Sequence, residues 1–317
     1  MSHSLDKPGA VVADESVPVL DTPGESTPVD EFDPPPAATE LIGRRRRRRR
    51  DIGALLGGCW LVLIVLAAVF VDLLPLPAPD AIGDLYSLPP FQDPGHILGT
   101  DQLGRDQLSR ALHGARVSLS VAIGATLLAM VIGTAAGLIA GYFRRAFDVV
   151  FDLSTNTILA FPPLILLIAL VALREPSAVT LAIGLGVVGA PTFARITRAN
   201  TIAYAEREFV MAAKSMGSTS ARILRREILP NALLPVVSFA TVVAATLVVA
   251  EGSLSFLGLG VPPPAPSWGG MIAAGRESLY ENPALVLVPG VFFFLTVFSL
   301  NRVGDWARGR VGRESSL

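Results

Sequence analysis

The chain has 317 residues, of which 51% are hydrophobic and 17% charged, and its apolar residues gather into runs of about 20, the length that crosses roughly 30 Å of hydrocarbon. This composition excludes a soluble globular domain and indicates a polytopic membrane protein. The formal net charge of -1 hides a separation of sign, because the segment before Gly43 is acidic while Arg44 to Arg50 is an unbroken arginine block.

Residues 1–43 are rich in Pro, Asp, Glu, Ser and Thr and poor in large apolar side chains. Such a segment cannot bury enough surface to offset its ordering entropy, so a disordered acidic cytoplasmic tail is expected over 1–50, ending in the arginine block. A secretory signal is not expected, since the first apolar run begins beyond residue 50 and exceeds the roughly 7 to 15 residues of a signal core. The rest divides into a first transmembrane helix with an external loop, 51–116, and a core, 117–310.

Six spans are expected: Ala54–Leu74, Val117–Ala140, Leu153–Leu173, Val179–Ala194, Leu233–Ala250 and Ala284–Leu300. Backbone groups in lipid must be satisfied internally, so these are helices, and the alternating ten-residue strands of a membrane barrel are absent. Cys59, the single cysteine, lies in the first run as a small packing or lipid-facing residue and leaves no intrachain disulfide. Gly133, Gly137 and Gly141 recur every fourth residue and suit close helix packing. Pro162–Pro163, Pro191 and Pro289–Gly290 are potential kinks.

Lysine and arginine in short loops stay cytoplasmic. With Arg44–Arg50 inside, the inner segments also carry Arg144, Arg145, Arg195, Arg198, Arg207, Lys214, Arg222, Arg225, Arg226, Arg302, Arg308, Arg310 and Arg313. The outer loops hold only Arg105, Arg110, Arg116, Arg174 and Arg276. Both termini are therefore expected in the cytoplasm, with the insert at about 195–231 on the same side and the loops 75–116 and 251–283 outside.

Within the insert, Phe209, Ala212, Ala213 and Met216 recur at helical spacing and Gly217 suits the left-handed position that ends a helix. Ser218 or Thr219 can cap a second short helix, expected to end before Pro230. Read from residues alone, this is either a docking corner or an amphipathic loop whose arginines meet anionic headgroups. The outer loop offers Asp72, Asp80, Asp84, Asp93, Asp101 and Asp106 with Arg105, Arg110 and Arg116, charges that either dock a partner or brace the loop internally. His96 and His113 stand too far apart for a metal cage, and His113 reads as a solvated helix residue.

The segment Glu208–Asn231 resembles the coupling loop of ATP-binding cassette importers. Ala212, Ala213, Gly217, Leu229 and Pro230 match its offsets, and Asn231 follows as is common in the peptide branch. Met211 stands where the family has Glu, and Glu227 where it has Ile. His96–Leu119 is similar to the stretch before the second span of C-type permeases of dipeptide, oligopeptide and nickel importers, through Gly99, Thr100, Asp101, Gly104, Arg105, Asp106, Ser109, Arg110, Gly114, Arg116 and Ser118. Ser255–Gly260 and Pro266–Met271 resemble the same family, so the likeness spans about 53–310.

The resemblance implies an all-α membrane protein with the six-helix architecture of type I ABC importers, in the plasma (inner) membrane. It implies a permease subunit for di- or oligopeptides, paired with a second homologous permease, two ATP-binding cassette ATPases and an extracytoplasmic solute-binding protein. Membrane lipids surround it and nucleic acid has no part. No catalysis and no bound cofactor are expected of this chain, ATP and magnesium belonging to the partner subunits. Glu208, Ala212, Ala213, Gly217, Leu229 and Pro230 would form the ATPase-coupling loop.

The alternatives are an importer of nickel or another small solute, a secondary carrier, and a lipid-binding scaffold. The carrier is disfavoured by spans without a mid-membrane charge: Asp148 and Asp152 are expected at an inner end and Glu251 at an outer end. No Gly-x-x-x-x-Gly-Lys-Ser/Thr phosphate loop occurs, so an ATPase must be a separate polypeptide.

Overall fold

The computed structural model describes residues 36–314. Ten α-helices lie among them: α1 Pro36–Val69, α2 Gln107–Phe143, α3 Ala146–Ala160, α4 Pro163–Leu173, α5 Ala178–Ala205, α6 Glu208–Ser215, α7 Ser220–Ile223, α8 Leu229–Phe256, α9 Trp268–Gly275 and α10 Ala284–Glu314. Of the tail expected at 1–50, residues 1–35 fall outside the described residues. Residues 36–51 continue α1, so Arg44–Arg50 lies on a helix rather than in the irregular tail expected there. Arginine is a good helix former, and extending an existing helix avoids the nucleation cost. The compact unit runs from Arg45 onward.

Helix starts follow local chemistry. Asp106 caps α2 by accepting from Ser109 N (2.7 Å), Ser177 caps α5 through Thr180 N (3.1 Å), and Ser267 caps α9 through Gly270 N (3.1 Å). Five helical runs are long and apolar enough to cross a membrane: Ile52–Val69, Gln107–Phe143, Ala178–Ala205, Ser220–Phe256 and Ala284–Arg310. The expected third span is instead a bent pair, Phe147–Ala160 and Pro163–Leu170, meeting at 86°. Phe161 is extended (φ -85°, ψ 136°), the conformation that a following proline imposes, and Pro162 cannot donate to the preceding turn. By contrast α5, α8 and α10 run unbroken through Pro191, Pro235 and Pro289.

Packing shows that the bent pair still returns the chain across the bundle. Helices α2 and α5 run parallel: Gly124 lies by Ala182, Gly133 by Ala190 and Phe193, Gly137 by Ala194 and Thr197, and Gly141 by Thr201. Parallel neighbours need a crossover between them. The pair runs antiparallel to α5, with Asp148 on Arg198, Asn156 on Arg195, and Leu167 and Leu170 against Gly184. The described residues therefore make six traverses, counting the bent pair as one broken span.

The glycine ladder is the α2–α5 seam, where a Cβ on Gly133 or Gly137 would meet the backbone of α5. Helix α8 runs back along both, and α10 is antiparallel to α8, with Phe293 at Gly252 and Gly304 at Thr241. Helix α1 is antiparallel to α10: Gly57 touches Ser299, and Trp60 Nε1 donates to Thr296 Oγ1 (3.1 Å). The core centres on Val121, Ala125, Leu181, Leu185, Phe193, Val236 and Leu254. Exposed Val131, Leu153, Leu234, Phe294 and Cys59 give the outer surface the apolar character that lipid demands.

This topology sorts the ends. The α1 membrane run starts, and α2, α5 and α10 finish, at the end that carries α6 and α7. The loops 75–106 and 257–283 occupy the other.

Candidate functional site

At the α6 end, Arg144 Nη2 donates to Glu206 Oε1 (2.6 Å), tying the end of α2 to the end of α5. Helix α6 begins at Glu208, whose acidic side chain in the first turn complements the helix N-terminus. Val210 and Ala213 turn inward and join Ile223, Ile228 and Ala232 in a buried cluster against Leu138, Tyr142 and Tyr204. Of the four residues noted at helical spacing only Ala213 is buried. Phe209, Ala212 and Met216 are exposed, Met216 to 79%, and Met211 joins them at 51%. Helical periodicity does not single out Val210, because only the face of α6 that carries Val210 and Ala213 packs on Leu138, Tyr142 and Tyr204.

Gly217 closes α6 in the left-handed conformation (φ +77°), with its N–H on Lys214 O and Ser218 N–H on Ala213 O, both at 3.0 Å. These are the two bonds of a Schellman cap. Thr219 then accepts from Arg222 N (3.4 Å) and starts α7. The expected stop before Pro230 does not occur: a π-helical turn over Leu224–Ile228 joins α7 to α8, making one helical run Ser220–Phe256. Leu229 N–H reaches Leu224 O, and Pro230 stands in the first turn of α8, where a missing donor is tolerated. Leu229 is half-buried and Pro230 exposed, while Asn231 Nδ2 donates to Glu227 O (2.6 Å).

At the opposite end, Gly99 (φ +80°) and Gly104 (φ +74°) let loop segments cross where a Cβ would strike the carbonyls of Leu88 and Gly83. Thr100 Oγ1 accepts from Leu88 N (3.0 Å) and donates to Leu85 O. Asp101 Oδ1 takes the N–H groups of Leu103 (2.9 Å) and Arg105 (3.0 Å), and its Oδ2 takes Arg105 Nε (2.7 Å). Arg110 Nε lies 3.5 Å from the same oxygen, and its Nη1 donates to Pro79 O (2.8 Å). Asp106 Oδ2 meets His96 Nδ1 at 2.9 Å. These charges brace the loop internally, whereas Asp80 and Asp84 are exposed.

Arg116 stands apart from that knot and caps α1. Its Nε donates to Ala68 O (2.9 Å), and its Nη2 to Val69 O (3.0 Å) and Asp72 Oδ2 (2.8 Å), satisfying carbonyls that end a helix unpaired. The Arg116 hydrogen bond, aided by its charge and by His113, holds the Asp72 carboxyl below its ordinary value against the opposing pull of desolvation. His113 is not solvated: it bonds Ser109 O (2.9 Å), approaches Asp72 Oδ1 (3.4 Å), and is 16% exposed.

The second loop locks onto the first. Trp268 is fully buried with Nε1 on Ala111 O (2.9 Å), Asn282 Nδ2 donates to Ser87 O (2.9 Å), and Gln102 Nε2 to Ser278 Oγ (2.7 Å). The sequence placed two further groups without showing their partners. Glu251, expected at an outer end, is fully buried with Ser255 Oγ on its Oε1 (2.7 Å), a partner legible as the i+4 neighbour. Asp148 and Arg198, opposite charges that the sequence puts at the same end, form a bidentate pair at 2.6 and 2.7 Å that ties α3 to α5.

Comparison with known proteins agrees with this geometry. Residues 133–313 match the family described as "Binding-protein-dependent transport system inner membrane component". The chain is 40% identical over 213 residues to a dipeptide transport system permease protein, DppC, of Alkalihalophilus pseudofirmus, covering 67% of this chain and 70% of that protein. It is 34% identical to a di/tripeptide transport system permease protein of Pseudomonas aeruginosa (81% and 86% covered) and 37% identical to a glutathione transport system permease protein, GsiD, of Pectobacterium atrosepticum (67% and 71%). In fold it is similar to a chain of the inward-facing MetNI methionine ABC transporter, with TM-score 0.52 at 21% identity, covering 64% of this chain and 97% of that one. The chain thus belongs to the family of binding-protein-dependent transport system inner membrane components, a permease with the transmembrane fold of type I ABC importers.

Proposed function

We propose that this permease forms half of the translocation path for di- or oligopeptides and that the corner around Gly217 receives the motion of a separate ATPase. The observation that carries the coupling reading is the uncovered apolar face Phe209, Met211, Ala212 and Met216 beside a rigid Schellman corner. A face of that kind, rimmed by Lys214, Arg222, Arg225 and Arg226, suits a protein partner better than lipid headgroups alone. Met211 in place of the family's Glu removes an ion-pairing group and adds apolar surface. Glu208, Ala212, Ala213, Gly217, Leu229 and Pro230 make the contact or set its shape.

The complete importer on this reading holds a second homologous permease, two ATP-binding cassette ATPases carrying ATP and magnesium, and an extracytoplasmic solute-binding protein. This chain breaks no bond. The arginine-rich α6 end faces the cytoplasm, as the positive-inside rule requires, and both termini lie on that side. The loops over 75–106 and 257–283 face outward, where Gly99, Thr100, Asp101, Gly104, Arg105, Asp106, Arg110 and Arg116 shape the entrance. Peptide is favoured as solute by the dipeptide, di/tripeptide and glutathione systems named among the relatives.

The test is to tag the chain, extract it gently and identify what copurifies. A second six-span permease and a phosphate-loop ATPase are expected, and the binding protein encoded beside them should take up peptides rather than nickel. Recovery of the chain alone, in detergents that keep other transporters assembled, overturns the reading.

A further inference from the structure

We propose that a cavity at the loop end, between the first loop and helices α9 and α10, is a binding site for a carboxylate carried on a small apolar group. The cavity holds about 260 Å³. One wall is polar, with Asp101, Arg105, Gln107 and Arg110, and the facing wall is apolar, with Met271 and Leu285. Gln107 opens α2 and is 3% exposed, yet its Oε1 has no hydrogen-bond partner among the described residues. Buried amides are almost always bonded, so an unpartnered one lining a cavity points to a ligand that completes it.

The guanidiniums fix the sign of that ligand. Asp101 is the carboxylate both arginines share, at 2.7 Å from Arg105 and 3.5 Å from Arg110. Two cations against one anion leave a local positive excess, and Asp80, the other carboxylate acting on Arg110, is exposed and screened. Each guanidinium carries five N–H groups, more than Asp101 and the Pro79 carbonyl take up. Planar paired donors match a carboxylate, and both metal cations and ammonium groups are repelled. The apolar wall argues against phosphate, whose outer oxygens would face Met271 and Leu285 without partners. A carboxylate on a short alkyl group satisfies both walls, with Gln107 free to bond the adjoining amide. The group comes either from a peptide's C-terminus or from an acidic side chain of the solute-binding protein; the second source rests on the importer reading, the first does not.

The probe is dialanine, with dialanine amide as control, titrated onto the full-length chain in nanodiscs and read by saturation-transfer difference NMR. Dialanine should bind and be displaced by acetate, while the amide should bind about tenfold or more weakly for loss of the charge-assisted bonds. Met271→Trp, which fills the cavity, and Gln107→Met should each weaken dialanine in the same measure. If dialanine fails to bind but either variant weakens docking of the solute-binding protein about tenfold, the carboxylate belongs to that protein and the site stands. Equal binding of dialanine and its amide overturns the proposal, as do variants that change neither dialanine binding nor docking; the cavity then holds water only. Should neither variant reach the membrane, the wild-type comparison of acid with amide decides. Loss of the copurifying ATPase would sink the coupling reading and leave this result untouched.

Discussion

Replacing Gly217 separates backbone conformation from side-chain space. At φ +77° a residue with a Cβ pays about 1–2 kcal/mol relative to glycine, least for asparagine and most for a β-branched side chain. Nothing lies within 4 Å of the position a Cβ would occupy, so bulk by itself meets no obstacle within the chain. With 1.4 kcal/mol per tenfold, Gly217→Ala should lower the population of the closed corner about 5-fold and Gly217→Val about 30-fold, while Gly217→Asn stays near wild type. Val210, Ala213, Ile223 and Ile228 are buried in a cluster that Gly217 does not join, so they should stay buried and membrane insertion should not change in any variant. Assembled with its ATPases in proteoliposomes, each variant is assayed for dialanine uptake and for ATP hydrolysis. Uptake per ATP should fall in the order Gly, Asn, Ala, Val. If Asn, larger than Ala, is as damaging as Val, the position is limited by contact with a partner and the conformational argument is wrong; normal uptake in Gly217→Val removes the coupling role altogether.

The glycine ladder predicts the opposite, purely steric behaviour. A Cβ on Gly137 would lie 2.8 Å from Thr197 Cβ and 2.9 Å from Arg198 N, so Gly137→Leu should cost at least the 1–3 kcal/mol usual for overpacking and lower the melting temperature in detergent, whereas Gly290→Leu, with open space around it, should not. The Arg116 cap predicts a pH effect. Because the folded Asp72 carboxyl titrates below its unfolded value of 3.8, its contact with Arg116 contributes fully above that value and is lost as pH falls through the lower folded one. Hydrogen-exchange protection at Leu73 and Leu74, whose amides bond Phe70 and Val71, should therefore hold above the unfolded value, drop as the pH falls through the lower folded one in the wild type, and show no such step in Asp72→Asn.

What the sequence made legible was set by locality. Run length marks each traverse, because a helix in lipid must satisfy its own backbone. Gly217 marks a cap, because its neighbours carry the helical pattern that it ends. The Gly133, Gly137 and Gly141 spacing marks a seam, though it does not name α5 as the partner. What stayed hidden depends on chain segments far apart. Nothing near Arg116 says that it bonds the carbonyls of Ala68 and Val69 on another helix. Val210, rather than Phe209, is buried only because Leu138, Tyr142 and Tyr204 stand beneath it. Pro230 reads as a stop until a π-turn absorbs the change of register, while Pro162 reads as one kink among several yet breaks its helix.

The two ends of the bundle are built for different tasks. At the loop end the two loops and the end of α1 are tied by long-range polar contacts: Trp268 to Ala111, Asn282 to Ser87, Arg116 to the carbonyls of Ala68 and Val69. That end resists deformation. At the other end α6 rests on one small apolar cluster and presents its remaining side chains uncovered. A push on α6 has two mechanical outlets. One is the run Ser220–Phe256, which is continuous from the corner to the loop end, so displacement at Gly217 reaches Glu251 and Ser255 along a single helix. The other is the α3–α4 pair, held to α5 on its α6 side by the Asp148–Arg198 bidentate contact and bent at Phe161–Pro162, where no helical hydrogen bond bridges the break. Between them the α2–α5 seam is too tight to shear, since its glycines face backbone rather than flexible side chains. On the coupling reading proposed above, motion delivered at the corner would be shared between a rod and a hinge about a tightly packed pair, an arrangement suited to opening one end of a path while the braced end keeps its shape.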